Sequence, residues 1–425
     1  MEQKLHTPEG VRDIYNRECE TKLTLQKKLS TVLHLYGYHD IQTPTFEYYD
    51  VFREEIGSTS TQELYKFFDR EGNILALRPD ITPSVARAAA TLFEAEDFPI
   101  RLCYAGNTFI NHTSYRGRLK ENTQLGAELI GLDSIEADAE MIAMVADGLK
   151  KTGLNEFQIN LGHVDFIQGL LCGIDFGPDE EEKEAQIKEI RTLINNRNFF
   201  GLDEMLDNLN VKENIRRAFS VLPELVGGPE VLDRAFQAAP DLNARLGITR
   251  LQNIYRLLKL YKAEDHVTFD LSMTGSYGYY TGIIFRAYTY GTGDAVVRGG
   301  RYDHLLEKFG KSTPSIGFAI ILDELMSALS RQRISVDPIR RNLIVYTDST
   351  EEQAVSLACS FREKGRNIEL VKRSADEGRA KYEEFAKRAG AAAMLYLTDE
   401  STVEMVNPET GEVKTVKMKK QDERD

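Results

Sequence analysis

The chain contains no tryptophan, and only 4 cysteines, 7 histidines and 12 prolines in 425 residues. Cys19, Cys103, Cys172 and Cys359 are scattered, with neither paired nor metal-ligand spacing. That excludes a disulfide framework and a zinc motif, and reduced thiols are expected. Positive charge is also short: 53 lysines and arginines face 67 acidic residues, a formal net charge of −14. Such a balance argues against broad nucleic-acid binding, which relies on basic side chains neutralising phosphates. No apolar run approaches the ~18 residues of a membrane span, and the polar N-terminus leads into none, so neither a signal peptide nor a membrane anchor is expected. The expected location is cytoplasmic. A Walker loop is absent, and the Gly-x-Gly patterns do not join a strand to a helix, so a dinucleotide fingerprint is not supported. What remains is 42% hydrophobic and 28% charged, the composition of a globular protein with two or three domains.

Residues 15–37 read as an amphipathic helix with Leu23, Leu25, Leu29, Val32, Leu33 and Leu35 on its apolar face. A short strand over 38–46 and a hairpin over 66–77, turning at 70–73, follow. A helix is expected over 84–93, strands over 102–109 and 123–131, a helix over 134–152 opened by a cap at Asp133-Ser134, and a strand over 157–161. From 178 to 263 strand signals vanish. The acidic run after Pro178 reads as a helix start, with carboxylates on the positive end of the dipole. Strands return over 267–271 and 283–290, then a glycine-rich segment at 299–303 and a strand-to-helix run over 315–330. Residues 331–341 read as a linker. Residues 342–425 alternate strand and helix and end in a hairpin around 408–411, the pattern of a small sheet covered by helices. The charged tail, 417–425, is expected to fray. The predicted class is α+β: a mostly antiparallel core over 1–330 with a helical insertion at 178–263, a linker at 331–341, and a small α/β domain at 342–425.

Single segments are ambiguous. Gly278–Gly282 fits a turn with aromatic core residues. Gly299-Gly300-Arg301-Tyr302-Asp303 fits a glycine turn carrying an Arg–Asp pair, and Leu77–Thr82 fits a strand end followed by a helix cap. Gln124 and Glu128 point further. Their even spacing in a strand puts both side chains on one face, and a buried polar pair needs partners.

The order of the segments resolves the ambiguity. Gly10-Val11-Arg12-Asp13, Tyr36-Gly37, Thr43-Pro44, Leu77–Arg87, Tyr104–Glu128, Gly275–Gly282, Gly299–Asp303 and Pro314–Leu325 together resemble the histidyl-tRNA synthetase core over about the first 330 residues. The last 85 or so resemble the domain that reads the anticodon in that family. Within the family, Leu77–Pro83 and Arg101–Asn107 are most similar to the regulatory subunits of ATP phosphoribosyltransferase, which are synthetase paralogues.

The resemblance implies a class II synthetase-like antiparallel core. It also implies that arginines have been lost at Ile110, Gly275 and Glu324, and an acid at His112. One arginine on a reacting phosphate is commonly worth roughly 10³–10⁵ in rate, so adenylation is expected to be abolished. No catalytic residue, metal or cofactor is assigned. The amino-acid lining fares better: Asp80, Thr82, Gln124, Glu128, Tyr280 and Tyr302 match the pocket for L-histidine. Carboxylates facing an imidazole N–H and an ammonium select histidine over apolar amino acids.

The implied role is a non-catalytic regulatory subunit, working with the short-form catalytic subunit of ATP phosphoribosyltransferase. It would serve the first step of histidine biosynthesis and relay feedback by histidine, from a homodimer within a hetero-octamer. The rivals are an active histidyl-tRNA synthetase and a tRNA-binding or signalling paralogue. Many regulatory paralogues lack an anticodon-reading domain, whereas 342–418 resembles a degenerate version of one. It has roughly equal numbers of acids and bases, so packing or dimer support is expected in preference to tRNA binding.

Overall fold

A computed structural model describes residues 5–53, 59–94, 97–112, 118–209, 211–275, 279–336, 341–374 and 376–417. The chain forms two compact units, Met1–Asp13 with Leu25–Val336, and Ile14–Thr24 with Asp337–Asp425.

Helix α1 (Asn16–Leu35) buries Leu25, Leu29, Val32 and Leu33, the i, i+4, i+7, i+8 stripe of a helix face. Leu23 and Leu35 were expected on that face and are instead exposed. Each lies two residues from the stripe, about 200° around the helix. The strand expected over 38–46 is two short ones, β1 (His39–Asp40) and β2 (Phe46–Tyr48), since Pro44 cannot donate to a ladder. The hairpin is β3 (Lys66–Phe68) and β4 (Ile74–Leu77), which join β2 in a three-stranded sheet ordered β2-β4-β3.

Next come α2 (Thr82–Leu92), β5 (Ile100–Phe109), β6 (Glu121–Ile130), α3 (Ile135–Lys151) and β7 (Phe157–His163). Ser134 makes the expected cap of α3, its hydroxyl accepting from the Ala137 N–H at 3.1 Å. The helical insertion comprises α4 (Val164–Cys172), α5 (Glu180–Asn195), α6 (Phe199–Asn208), α7 (Glu213–Ser220), α8 (Val231–Ala238) and α9 (Leu242–Leu260). It is not free of strand: β8 (Val226–Gly227) pairs antiparallel with β9 (Val267–Asp270). The unit ends with β10 (Ile283–Thr289), β11 (Val297–Arg301), β12 (Ser315–Ile321) and α10 (Leu322–Arg331).

Nine strands form one sheet in the order β1-β5-β6-β12-β11-β10-β7-β9-β8. Its pairs are antiparallel except β1–β5 and β7–β9. Three successive central strands, β6, β12 and β11, carry the sequence motifs, so segments nearly 200 residues apart become neighbours. Glu128 on β6 stands opposite Gly317 on β12, and Gly300 on β11 stands opposite the same Gly317. Gly299 and Gly300 lie inside β11 and not in the expected turn. A Cβ on Gly299 would fall 2.3 Å from the Phe285 ring, and one on Gly300 would fall 2.7 Å from the Tyr280 ring. Glycine is needed there for aromatic approach, not for a bend.

The second unit holds a five-stranded sheet ordered β14-β13-β15-β16-β17. Its elements are β13 (Asn342–Tyr346), α11 (Glu351–Glu363), β14 (Ile368–Lys372), α12 (Arg379–Arg388), β15 (Ala393–Leu397), β16 (Thr402–Val406) and β17 (Val413–Lys417). The last helix has Gly378 as its N-cap. Arg341 binds Glu20 at 2.7 Å, tying the N-terminal segment into this unit. Residues 337–340 of the expected linker and the tail from 418 onward lie outside the described residues, and Arg331 belongs to α10. Among the described residues no helix is long and apolar enough to cross a membrane.

Candidate functional site

Three cavities lie along one side of the motif-bearing strands and share walls. The central one is lined by Asp80, Thr82, Glu128, Tyr279, Tyr280, Arg298, Tyr302 and Gly317. Its volume of about 20 Å³ has room for a single water. Arg298 also lines a second cavity of about 260 Å³, and Tyr280 also lines a third of about 310 Å³.

Glu128 is the centre of the first cavity. It is fully buried and accepts from Thr82 Oγ1 at 2.7 Å, from Tyr104 OH at 3.2 Å and from Tyr302 OH at very short range. Burial pushes its carboxyl up to about 8, although these hydroxyls favour the charged form. Burial and the nearby Glu128 also raise the Tyr104 and Tyr302 phenols well above their ordinary range. Gly317 makes the arrangement possible, because a Cβ there would fall 1.5 Å from Glu128 Oε2. Asp80 works twice. One oxygen accepts from the Ile81 N–H at 2.8 Å, and the other accepts from Tyr279 OH at 3.3 Å. The expected helix cap is not formed: the N-cap of α2 is Ile81, with no side-chain cap bond, and Asp80 lies one residue before it.

The six expected lining residues are not all brought together. Asp80, Thr82, Glu128, Tyr280 and Tyr302 line the central cavity, whereas Gln124 lines the 260 Å³ one. Gln124 and Glu128 do share a strand face, but four residues of strand place them about 13 Å apart along it. Gln124 Oε1 is buried without a hydrogen-bond partner among the described residues.

The 260 Å³ cavity gathers three of the four positions where the resemblance implies a lost charge. Ile110, His112 and Glu324 all line it, with Glu63, Arg118, Asp294 and Arg298. Sequence reading missed these last four. Two of the basic groups are answered by acids: Arg298 binds Asp294 at 2.5 Å, and His112 faces Glu63 at 3.4 Å. Gly275 lines the third cavity instead. Ser276, Tyr277 and Gly278, part of the expected tyrosine-bearing motif, lie outside the described residues.

Two arginines of the motifs, Arg78 and Arg301, hold the fold together. Arg78 donates to the carbonyls of Asn107 and Thr43, both at 2.8 Å, and Gly106 leaves space for its guanidinium. Arg301 makes the expected pair with Asp303 at 3.1 Å, and also binds Asp138 at 2.6 Å. Arg250 of α9 completes that buried network on Asp138 at 2.6 Å. One group outside the cavities, His34, Asp40 and Cys103, has possible metal-ligand atoms within 4.8 Å of one another. Burial and Asp40 push the Cys103 thiol up to about 12, away from the thiolate that binds metals.

A large antiparallel sheet with a tyrosine-ringed carboxylate beside a phosphate-sized cavity defines a class II aminoacyl-tRNA synthetase-like protein. The model of the family described as histidyl-tRNA synthetase matches residues 10–325, and the chain belongs to that family, among the ATP phosphoribosyltransferase regulatory subunits. The regulatory subunit of Acetivibrio thermocellus is 37% identical over 416 residues, 98% of both chains. That of Ruminiclostridium cellulolyticum is 34% identical over 405 residues, 94% of each. A crystal structure described as an ATP phosphoribosyltransferase regulatory subunit/histidyl-tRNA synthetase from Bacillus halodurans C aligns with a TM-score of 0.79 at 29% identity, covering 92% of this chain and 97% of that one. A histidyl-tRNA synthetase from Nostoc sp. PCC 7120, at 20% identity and a TM-score of 0.80, shares the fold.

Proposed function

We propose that this chain is a non-catalytic regulatory subunit of ATP phosphoribosyltransferase. It assembles with a short-form catalytic subunit for the first step of histidine biosynthesis and relays feedback by L-histidine. The carrying observation is the convergence of Ile110, His112 and Glu324 on one cavity. A cavity that held a reacting triphosphate would need surplus positive charge aimed at it. Here Arg298 and His112 face Asp294 and Glu63, and the carboxylate of Glu324 offsets in number the one further cation of the lining, Arg118. The similarity to regulatory subunits runs the length of the chain, which supports the partner assignment.

Histidine is received by the lining of Asp80, Thr82, Glu128, Tyr280 and Tyr302, with Gln124 facing the adjoining cavity. The central cavity is closed to anything larger than water, so entry requires Tyr279 and Tyr280 to swing away from Asp80 and Gly300. The building block is a homodimer within a hetero-octamer, located in the cytoplasm. We assign the core to 1–330, the helical insertion to 178–263 and a small C-terminal domain to 342–425, the last serving packing and taking in residues 14–24 as well.

Two measurements test this reading. Co-expression with a short catalytic subunit should give a stable complex whose phosphoribosyltransferase activity exceeds that of the catalytic subunit alone and falls with histidine. Pyrophosphate exchange dependent on histidine and ATP should be absent from the isolated chain; robust exchange would make it a synthetase.

A further inference from the structure

The third cavity has no part in the reading above. It is walled by helices α4 and α5 and by the segments at 273–275, 280–281 and 304, and Tyr280 is shared with the cavity of Glu128. Its volume of about 310 Å³ falls in the range of small-molecule sites. Val164, Ile167 and Met273 supply apolar wall, and Asp165 and Arg191 supply opposite charges.

Those two charges are not paired with each other. Arg191, on α5, is half-buried, and its Nη2 donates to Gln168 Oε1 at 3.2 Å, with no carboxylate in salt-bridge range among the described residues. Burial lowers the Arg191 pKa, with no acid offsetting it. Asp165, at the start of α4, meets His163 Nδ1 at 3.6 Å. His163 cannot neutralise it, because burial, Arg250 and Arg301 push the imidazole down to about 4. Burial and then Asp241 raise the Asp165 carboxyl. In a chain with 14 more acids than bases (67 against 53), an arginine without a carboxylate is a costly arrangement to leave unmatched.

The geometry points to a binding site for a free α-amino acid in this cavity. Its carboxylate meets Arg191, its ammonium meets Asp165, and its side chain lies towards Tyr280. A zwitterion supplies both missing counter-charges at once, and neither a phosphate nor a simple amine does so. Gly275 lines the same cavity, so the cation facing the ligand here comes from the insertion and not from the motif loop.

The test is calorimetry on the full chain with L-histidine, L-phenylalanine and L-leucine, each beside its amide and its N-acetyl derivative. At least one free amino acid should bind, and removing either charge from it should weaken binding about 10- to 100-fold, the range for a charge-assisted hydrogen bond. Arg191→Gln and Asp165→Asn should lose affinity by the same factor, with Arg191→Lys losing less. Asp165→Asn nearly preserves shape, which guards against a variant that fails to fold, and thermal melts of each variant check this. The proposal is overturned if no free amino acid binds at millimolar concentration, or if both variants bind as the parent does. It is equally overturned if Glu128→Gln abolishes binding while Arg191→Gln leaves it intact, since that places the ligand in the central cavity. The regulatory reading is judged separately, by complex formation and pyrophosphate exchange.

Discussion

Glu128 is withdrawn from bulk solvent, and its ionisation is therefore coupled to folding. Its carboxyl is raised from 4.5 to about 8 in the folded chain, so the native state holds the proton more tightly than the unfolded one. The stabilisation is complete below about pH 4.5 and is lost as pH rises through about 8. Chemical denaturation across that window should show stability falling with pH, and Glu128→Gln should flatten the fall and exceed the parent at pH 8.5 by about 1–3 kcal/mol. An unchanged slope in the variant would assign the pH dependence elsewhere. Gly317 is the other half of this arrangement. Gly317→Ala puts a methyl 1.5 Å from Glu128 Oε2. It should destabilise by about 1–3 kcal/mol in urea titration, the usual cost of overpacking. The same substitution in a Glu128→Ala background should cost less, because the obstructing carboxylate is gone.

Among the elements, caps and periodicity were the legible features, and shared walls were not. Ser134 was readable as a helix cap because a short hydroxyl side chain precedes an amphipathic run. Ser134→Ala should cost about 1 kcal/mol, measured as a shift in denaturation midpoint with unchanged slope. The two-residue β8 escaped notice because so short a strand leaves no alternation to detect. The buried Asp138 between Arg250 and Arg301 also escaped. Its partners come from α9 and β11, 112 and 163 positions away, and local sequence cannot encode such a meeting. Removing it with Asp138→Ala should cost about 3 kcal/mol, because the buried Arg301 and the half-buried Arg250 lose the carboxylate they share and keep only Asp303 and Asp133. The segments that line the central cavity were found from the order of motifs. That Gln124 would turn to a different cavity from Glu128 was hidden, since alternation fixes the face of a strand but not the position along it.

At the scale of the whole molecule, charge separates a regulator from an RNA reader. The chain carries a net charge of −14, and its second unit has no basic excess. Filter binding with tRNA should show little retention at 50 mM salt and no steep decline towards 200 mM, where a protein neutralising several phosphates would lose ~10³–10⁵ in affinity. Two units of different contact make-up also predict two melting transitions, or one broadened one, by calorimetry. The grouping of residues 14–24 with the second unit carries a consequence in time. Glu20 and Arg341 are 321 positions apart, so at the ~5–20 residues per second of ribosomal synthesis the first waits on the order of tens of seconds for the second to emerge. Residues 14–24 therefore remain unfinished until the second unit has been made, and a product terminated before it would keep a segment with nothing to fold onto.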